Sequence, residues 1–204
     1  MKIDFKKELE QLFAPGTKDF VLLEVPCFRY FMIDGEGNPN TAPSYTAALE
    51  TLYPVSYALK FVCKKELEID YVVPPLEGLW WADDMDTFGT SRDKSAWKWT
   101  MMIMIPDFAT EDLIAGAIEK AAKKQPPAID LLRVETLTEG FCAQIMHIGS
   151  YDDEGPTLQR LHREWIPEHD LVENGKHHEI YLSDPRRVAP EKLKTVLRQP
   201  VAPK

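Results

Sequence analysis

Hydrophobic positions along this chain switch between two rhythms, one of helices and one of strands. Phe5, Leu9, Leu12 and Phe13 recur at helical spacing before the turn signal Ala14-Pro15-Gly16, which predicts a short amphipathic helix within residues 1–18. From Phe20 to Ile33 the residues read as a strand, ended by Asp34-Gly35-Glu36-Gly37-Asn38-Pro39. A helix follows over residues 43–65. Tyr45, Leu49, Leu52, Val55, Ser56, Leu59, Val62 and Cys63 form its apolar stripe, Pro43 suits its first turn, and Pro54 predicts a kink. Two strands come next, residues 70–81 with an interruption at Pro74-Pro75, and residues 96–105. An acidic loop at 83–86 joins them.

The second half repeats this order. Residues 110–124 carry Leu113, Ile114, Ala117, Ile118 and Ala121 on one helical face, with Thr110 as the cap and acids behind it. A short helical turn is expected near 128–132, and a bent strand or strand pair at 133–148. Then come a helix at 155–168, a strand at 177–182 and a last short helix beginning at Pro190. Segments 28–35 and 141–149 share a pattern, as do 75–80 and 177–181. The expected class is therefore α+β, with duplicated strand-helix-strand-strand modules at about 19–105 and 106–204 after an N-terminal helical extension, residues 1–18. Antiparallel sheets would meet about a pseudo-twofold axis at a central cleft, with helices on the outer side.

Composition narrows the function classes. The 33 acidic residues outnumber the 24 basic ones, for a net charge of −9, which disfavours binding to nucleic acid. No apolar run is long enough for a membrane span or a signal peptide. The three cysteines, Cys27, Cys63 and Cys142, form no CxxC pair and read as reduced thiols, so a cytoplasmic protein is expected. The five histidines make no HExxH, and no metal or cofactor is expected. Neither a phosphate loop nor a nucleophile elbow is present.

Chemistry concentrates in His177-His178-Glu179-Ile180-Tyr181-Leu182. On a strand, Glu179 and Tyr181 share one face while Ile180 and Leu182 share the other. The aliphatic pair is expected against the helices, which would put a carboxylate and a phenol together on the opposite face. A desolvated carboxylate beside aromatics suits a cation, or acts as a general base. The competing reading is an edge-strand carboxylate facing water. Trp80, Trp81, Trp97 and Trp99 fall within twenty residues, which makes an aromatic-lined cleft as strong a reading as core packing.

Four stretches, FRYFMIDGEGNPN at 28–40, YTAALETLYPVSYALKF at 45–61, VVPPLEGLWW at 72–81, and HHEIYLSDPRR with EKLKTVLRQPV at 177–201, together resemble the GyrI-like small-molecule-binding proteins in their stand-alone form. The resemblance implies two modules around a ligand cleft. It implies that Glu179 matches the buried, aromatic-ringed Glu with which relatives fused to DNA-binding domains sense lipophilic, often cationic drugs. Some stand-alone relatives hydrolyse cyclopropanoid DNA-alkylating compounds. Others are named for inhibiting gyrase. This chain carries no helix-turn-helix segment, so direct transcriptional control is not expected.

Three functions follow as expectations. The first is a protein that binds a planar or lipophilic small molecule, cationic ones included, for xenobiotic protection. The second is a cofactor-free cyclopropanoid hydrolase with Glu179 as base and Tyr181 or Tyr151 as hydrogen-bond donor. The third is a protein-binding modulator using the acidic segments 83–86 and 152–154. Expected ligand contacts are Tyr71, Glu77, Trp80, Trp81, Trp97, Trp99, Phe141, His147 and Trp165.

Overall fold

Strand pairing organises the chain, whose computed structural model describes residues 2–82 and 94–204. The expected acidic loop at 83–86 lies outside the described residues. Eleven described strands run in chain order as β1 (Lys2–Ile3), β2 (Val21–Val25), β3 (Phe28–Glu36), β4 (Asp70–Tyr71), β5 (Leu76–Trp81), β6 (Lys98–Ile105), β7 (Arg133–Leu137), β8 (Gly140–Ile148), β9 (Leu171–Glu173), β10 (His177–Tyr181) and β11 (Lys194–Pro203). The helices are α1 (Phe5–Glu8), α2 (Glu10–Phe13), α3 (Pro43–Glu66), α4 (Glu111–Ala122), α5 (Gly155–Arg160) and α6 (Ile166–Glu168), with a π-helical turn, Leu161–Trp165, between the last two.

The large sheet is antiparallel, in the order β2-β8-β11-β10-β5-β6-β3-β7, and β9 pairs with β11. It is one continuous sheet, where two meeting sheets were expected. β5 and β10 meet at its centre. Outward from that seam come β6 and β11, then β3 and β8, then β7 and β2. A separate short parallel pair joins β1 to β4.

Proline and glycine decide several boundaries. The strand expected from Phe20 to Ile33 breaks at Pro26-Cys27, because proline has no N–H for a ladder. The break sends β2 to β8, and β3 to β6 and β7. Gly140, at φ +68°, supplies the bend between β7 and β8. Helix α3 runs as one element through Pro54. Thr110 caps α4, its side chain accepting from the Leu113 N–H.

One expectation is overturned at the C-terminus. Only a 3-10 turn, Pro190–Lys192, follows Pro190, and the rest is β11, the longest described strand and an interior one. Its residues are buried on both faces from Thr195 to Val201, so the period-2 signal that marks a half-buried strand is absent.

The two sheet faces are covered differently. On one face α3 and α4 pack over Phe31, Ile33, Met101, Ile103 and Ile105. On the same face Leu158, Leu161 and Ile166 pack over Ala143, Ile145 and Leu197. The opposite face is closed by the N-terminal segment, with Leu12 and Phe13 against Val25, Cys142, Ile180 and Val196. Among the described residues, no helix is long and apolar enough to cross a membrane.

Candidate functional site

Register places the chemistry at the β5–β10 seam. Trp80 opposes His177, Gly78 opposes Glu179 and Leu76 opposes Tyr181, so these side chains share a face. It is the face that carries α3 and α5, contrary to the expectation that Glu179 and Tyr181 would point away from the helices. Ile180 turns instead to the N-terminal segment. The helices flank the seam and leave a cleft of about 930 Å³ between them, a size suited to a drug-like molecule.

Aromatic side chains build the walls. Tyr45, Tyr53 and Tyr57 come from α3, Trp80 from β5, Trp97 from the approach to β6, and Tyr151 from the 3-10 turn Tyr151–Asp153. Trp80 meets Trp97 edge-on at 5.7 Å, and Tyr151 meets Tyr181 edge-on at the same distance. Their π faces give the cleft an electron-rich lining that favours flat and cationic ligands.

Glu179 lies at the floor, with its side chain 14% exposed. A relay fixes one of its oxygens. The Trp80 Nε1–H donates to Tyr181 Oη at 2.8 Å, and the Tyr181 hydroxyl donates to Glu179 Oε2 at 2.8 Å. Burial and then the Glu179 charge push the Tyr181 phenol well above its ordinary pKa, so it persists as a donor. Burial and then Glu154 push Tyr151 up to about 12, and burial likewise raises Tyr45. The other Glu179 oxygen, Oε1, lies 3.6 Å from Nε2 of His177. The site thus offers a held carboxylate, neutral phenols and aromatic walls, which is chemistry for holding a cation or for taking a proton from water. Among the described residues no group of three or more His, Cys, Asp or Glu is placed to hold a metal ion.

Glu179, Tyr181, Tyr151, Trp80 and Trp97 therefore line one cleft. The other expected contacts lie elsewhere. Trp99 is fully buried beneath α3, edge-on to Tyr45. Tyr71 is buried against Phe5 and Phe108. Trp81 points to the opposite face, where the Lys176 ammonium lies 3.3 Å from its ring centroid. Phe141 is exposed on β8. Trp165 stacks on His169 at 4.0 Å, and His147 faces the Ser150 carbonyl at 3.1 Å.

Glu77 is also on the far face, and this was the phase that Pro74-Pro75 obscured. Glu77 Oε2 is 2.9 Å from Nε2 of the fully buried His178, whose Nδ1 is 3.0 Å from Glu139 Oε1. Arg198 donates to Glu139 at 3.3 Å and to the Leu12 carbonyl at 2.9 Å. Burial opposes the charge on His178, yet Glu139 and Glu77 outweigh it and raise its pKa to about 9. Burial likewise opposes ionisation of Glu139, and His178 and Arg198 outweigh it, lowering it to about 2. The acidic segment 152–154 forms no open acidic face, since Asp152 pairs with Lys94 at 2.9 Å and Glu154 is buried in the cleft.

Sequence reasoning missed Tyr45, Tyr53, Tyr57, Glu154 and His177 as lining residues. The tyrosines sit at spacings of four and eight on the α3 stripe, a pattern first read as core. Gly78 was missed too. A Cβ there would lie 2.8 Å from Trp80 Nε1 and 3.2 Å from Tyr181 Oη. Gly78→Ala is expected to break the Trp80–Tyr181 bond and weaken binding of a flat aromatic cation such as ethidium about tenfold, the cost of overpacking being about 1–3 kcal/mol. Gly116→Ala, where a Cβ meets nothing within 4 Å, is the control. Equal affinity in both variants, by tryptophan fluorescence titration, would remove the relay from the binding floor.

Comparison with known proteins bears on this cleft. The family model for the GyrI-like small molecule binding domain matches residues 18–202. An uncharacterised conserved protein from Listeria innocua is 38% identical, with 98% of this chain and 100% of that one covered and a TM-score of 0.87. A hydrolase from Listeria innocua is also 38% identical, with 99% and 100% covered and a TM-score of 0.85. The C-terminal domain of EcmrR shares the fold at 11% identity, with 91% and 98% covered and a TM-score of 0.57. No curated protein sequence matches the chain.

Proposed function

The chain belongs to the GyrI-like small molecule binding domain family, and from that membership we propose that its cleft captures planar, lipophilic small molecules and opens a strained electrophile among them by adding water. One observation carries the reading. The Glu179 carboxylate sits at the floor of an aromatic-walled cleft with Oε2 held by Tyr181 and Oε1 left toward the cavity. The similarity to the Listeria hydrolase over both full chains supports the catalytic part. The matching succession of strands on either side of the β5–β10 seam supports taking the cleft to lie on the axis of a duplicated module.

The chemistry suits a cyclopropane conjugated to a carbonyl, as in a spirocyclopropyl cyclohexadienone. Trp80 and Trp97 hold the flat ring system. Water attacks the cyclopropane methylene and forms a C–O bond. The bond between the methylene and the ring breaks, and its electron pair enters the ring to give a phenolate. Glu179 takes the proton that water loses, and the phenolate gains one from solvent, so the net change is one water added. Tyr181 is committed to Glu179, which leaves Tyr151 as the phenol to meet the carbonyl oxygen. The reading is one of xenobiotic protection, because such electrophiles alkylate DNA.

The test is mass spectrometry of a synthetic spirocyclopropyl-cyclohexadienone probe after incubation with the purified protein. A product heavier by one water is the expected result. Intact probe recovered bound to the protein reduces the function to sequestration. Intact probe that does not bind at all sinks the reading.

A further inference from the structure

His177 is a buried side chain whose two ring nitrogens have no hydrogen bond among the described residues. It is 5% exposed and lines the same cleft as Glu179. Buried polar side chains nearly always have a partner, so an orphaned one aimed into a ligand cavity points to a group that arrives with the ligand. Its Nε2 is 3.6 Å from Glu179 Oε1, too far for a direct hydrogen bond. That separation suits a water shared between the two atoms.

Both ends of this gap are held. Glu179 is fixed from behind by Tyr181. The His177 ring lies edge-on to His162 at 6.2 Å, and His162 is itself tied to Glu173 at 2.7 Å. Both residues stand on β10, at the centre of the sheet, where backbone position is rigid.

We propose that His177 is the second acceptor for the attacking water. The water donates one hydrogen to Glu179 Oε1 and the other to His177 Nε2, which turns its lone pair toward the electrophilic carbon. The inference rests on the water-addition reading above and names the residue that orients the nucleophile. As the C–O bond forms, the proton on the Glu179 side passes to Oε1, and the one facing His177 stays on the product hydroxyl. The cyclopropane C–C bond breaks with its electron pair entering the ring, and nothing but water is consumed.

Acid would disable this arrangement. A protonated His177 donates from Nε2 instead of accepting, and its positive charge offsets that of Glu179. The titratable groups that face it are Glu179 on its own strand and His162 with Glu173 behind it, while Glu154 lies across the same cleft. Trp80 on the neighbouring strand does not titrate.

Two variants test the assignment on the spirocyclopropyl-cyclohexadienone probe. His177→Phe removes the acceptor, and its kcat is expected to fall about 10²-fold. Probe affinity by tryptophan fluorescence should stay within about threefold, which also shows that the cleft is folded. His177→Gln keeps an acceptor that cannot charge. It is expected to retain kcat within about tenfold and to move the acidic limb of the kcat profile down by about one pH unit or more. Wild-type kcat and an unmoved acidic limb in both variants would overturn the assignment, provided Glu179→Gln is inert. Wild-type turnover in Glu179→Gln would overturn the water-activation reading beneath it.

Discussion

Glu179→Gln is expected to lower turnover of the spirocyclopropyl probe about 10²–10⁴-fold, the range of a single general base. The substitution keeps side-chain volume, and the amide oxygen still accepts from Tyr181, whose hydroxyl is held in place by Trp80. The fold and the aromatic walls therefore survive, and what disappears is the basic oxygen at Oε1. Binding separates charge from shape. A neutral planar probe should bind the variant within about threefold of wild type. A cation of the same shape should lose about tenfold or more, because a carboxylate at 14% exposure acts on a cation through a medium less polarisable than water. Mass spectrometry of the product and fluorescence titration of the matched probes read the two effects separately. Equal losses for the neutral and cationic probes would remove the charge role, and undiminished turnover would remove the base.

The legible part of this site was the part written in strand alternation. Glu179 and Tyr181 are two residues apart on a short strand, and their shared face followed from the period of the pleat. Which face that was did not follow. Ile180 and Leu182 looked like the helix-facing pair, yet α3 and α5 stand beside the seam and the N-terminal segment covers the back. Alternation identifies two faces and is silent on which layer covers each. The same limit explains Glu77, whose phase could not be counted through Pro74-Pro75 and which lies on the far face beside His178. β11 was misread for another reason. It is buried on both sides, so its pattern lacks the polar positions that mark a strand. The tyrosines of α3 were legible as a helical stripe. That the sheet leaves their end of the stripe open is a fact of long-range pairing, which short-range periodicity does not encode.

The network on the back of β10 gives the second large effect, and it falls on stability. Glu139, His178 and Arg198 are buried together, with Glu77 on the other side of the imidazole and Gln144 beside Arg198. Arg198→Met takes the guanidinium from Glu139 and from the Leu12 carbonyl. Leaving a buried carboxylate so exposed to its own desolvation costs about 3–5 kcal/mol, which urea unfolding at neutral pH should register. A loss below about 1 kcal/mol would mean that the network is not closed in solution. The pH dependence has a definite sign. His178 is raised from 6.5 to about 9, so its contribution is complete below pH 6.5 and is lost as pH rises through about 9. Glu139 is lowered from 4.5 to about 2, so its contribution is present above pH 4.5 and is lost as pH falls toward about 2. The urea midpoint of the wild-type chain should therefore decline on both sides of that interval, and the alkaline decline should shrink in His178→Gln. Because His178 and Glu179 are adjacent on β10 and face opposite ways, the same strand that presents the carboxylate to the cleft is anchored from behind by this network. Arg198→Met should consequently lose ligand binding together with the fold, along one urea curve, whereas Glu179→Gln changes the chemistry and leaves that curve in place.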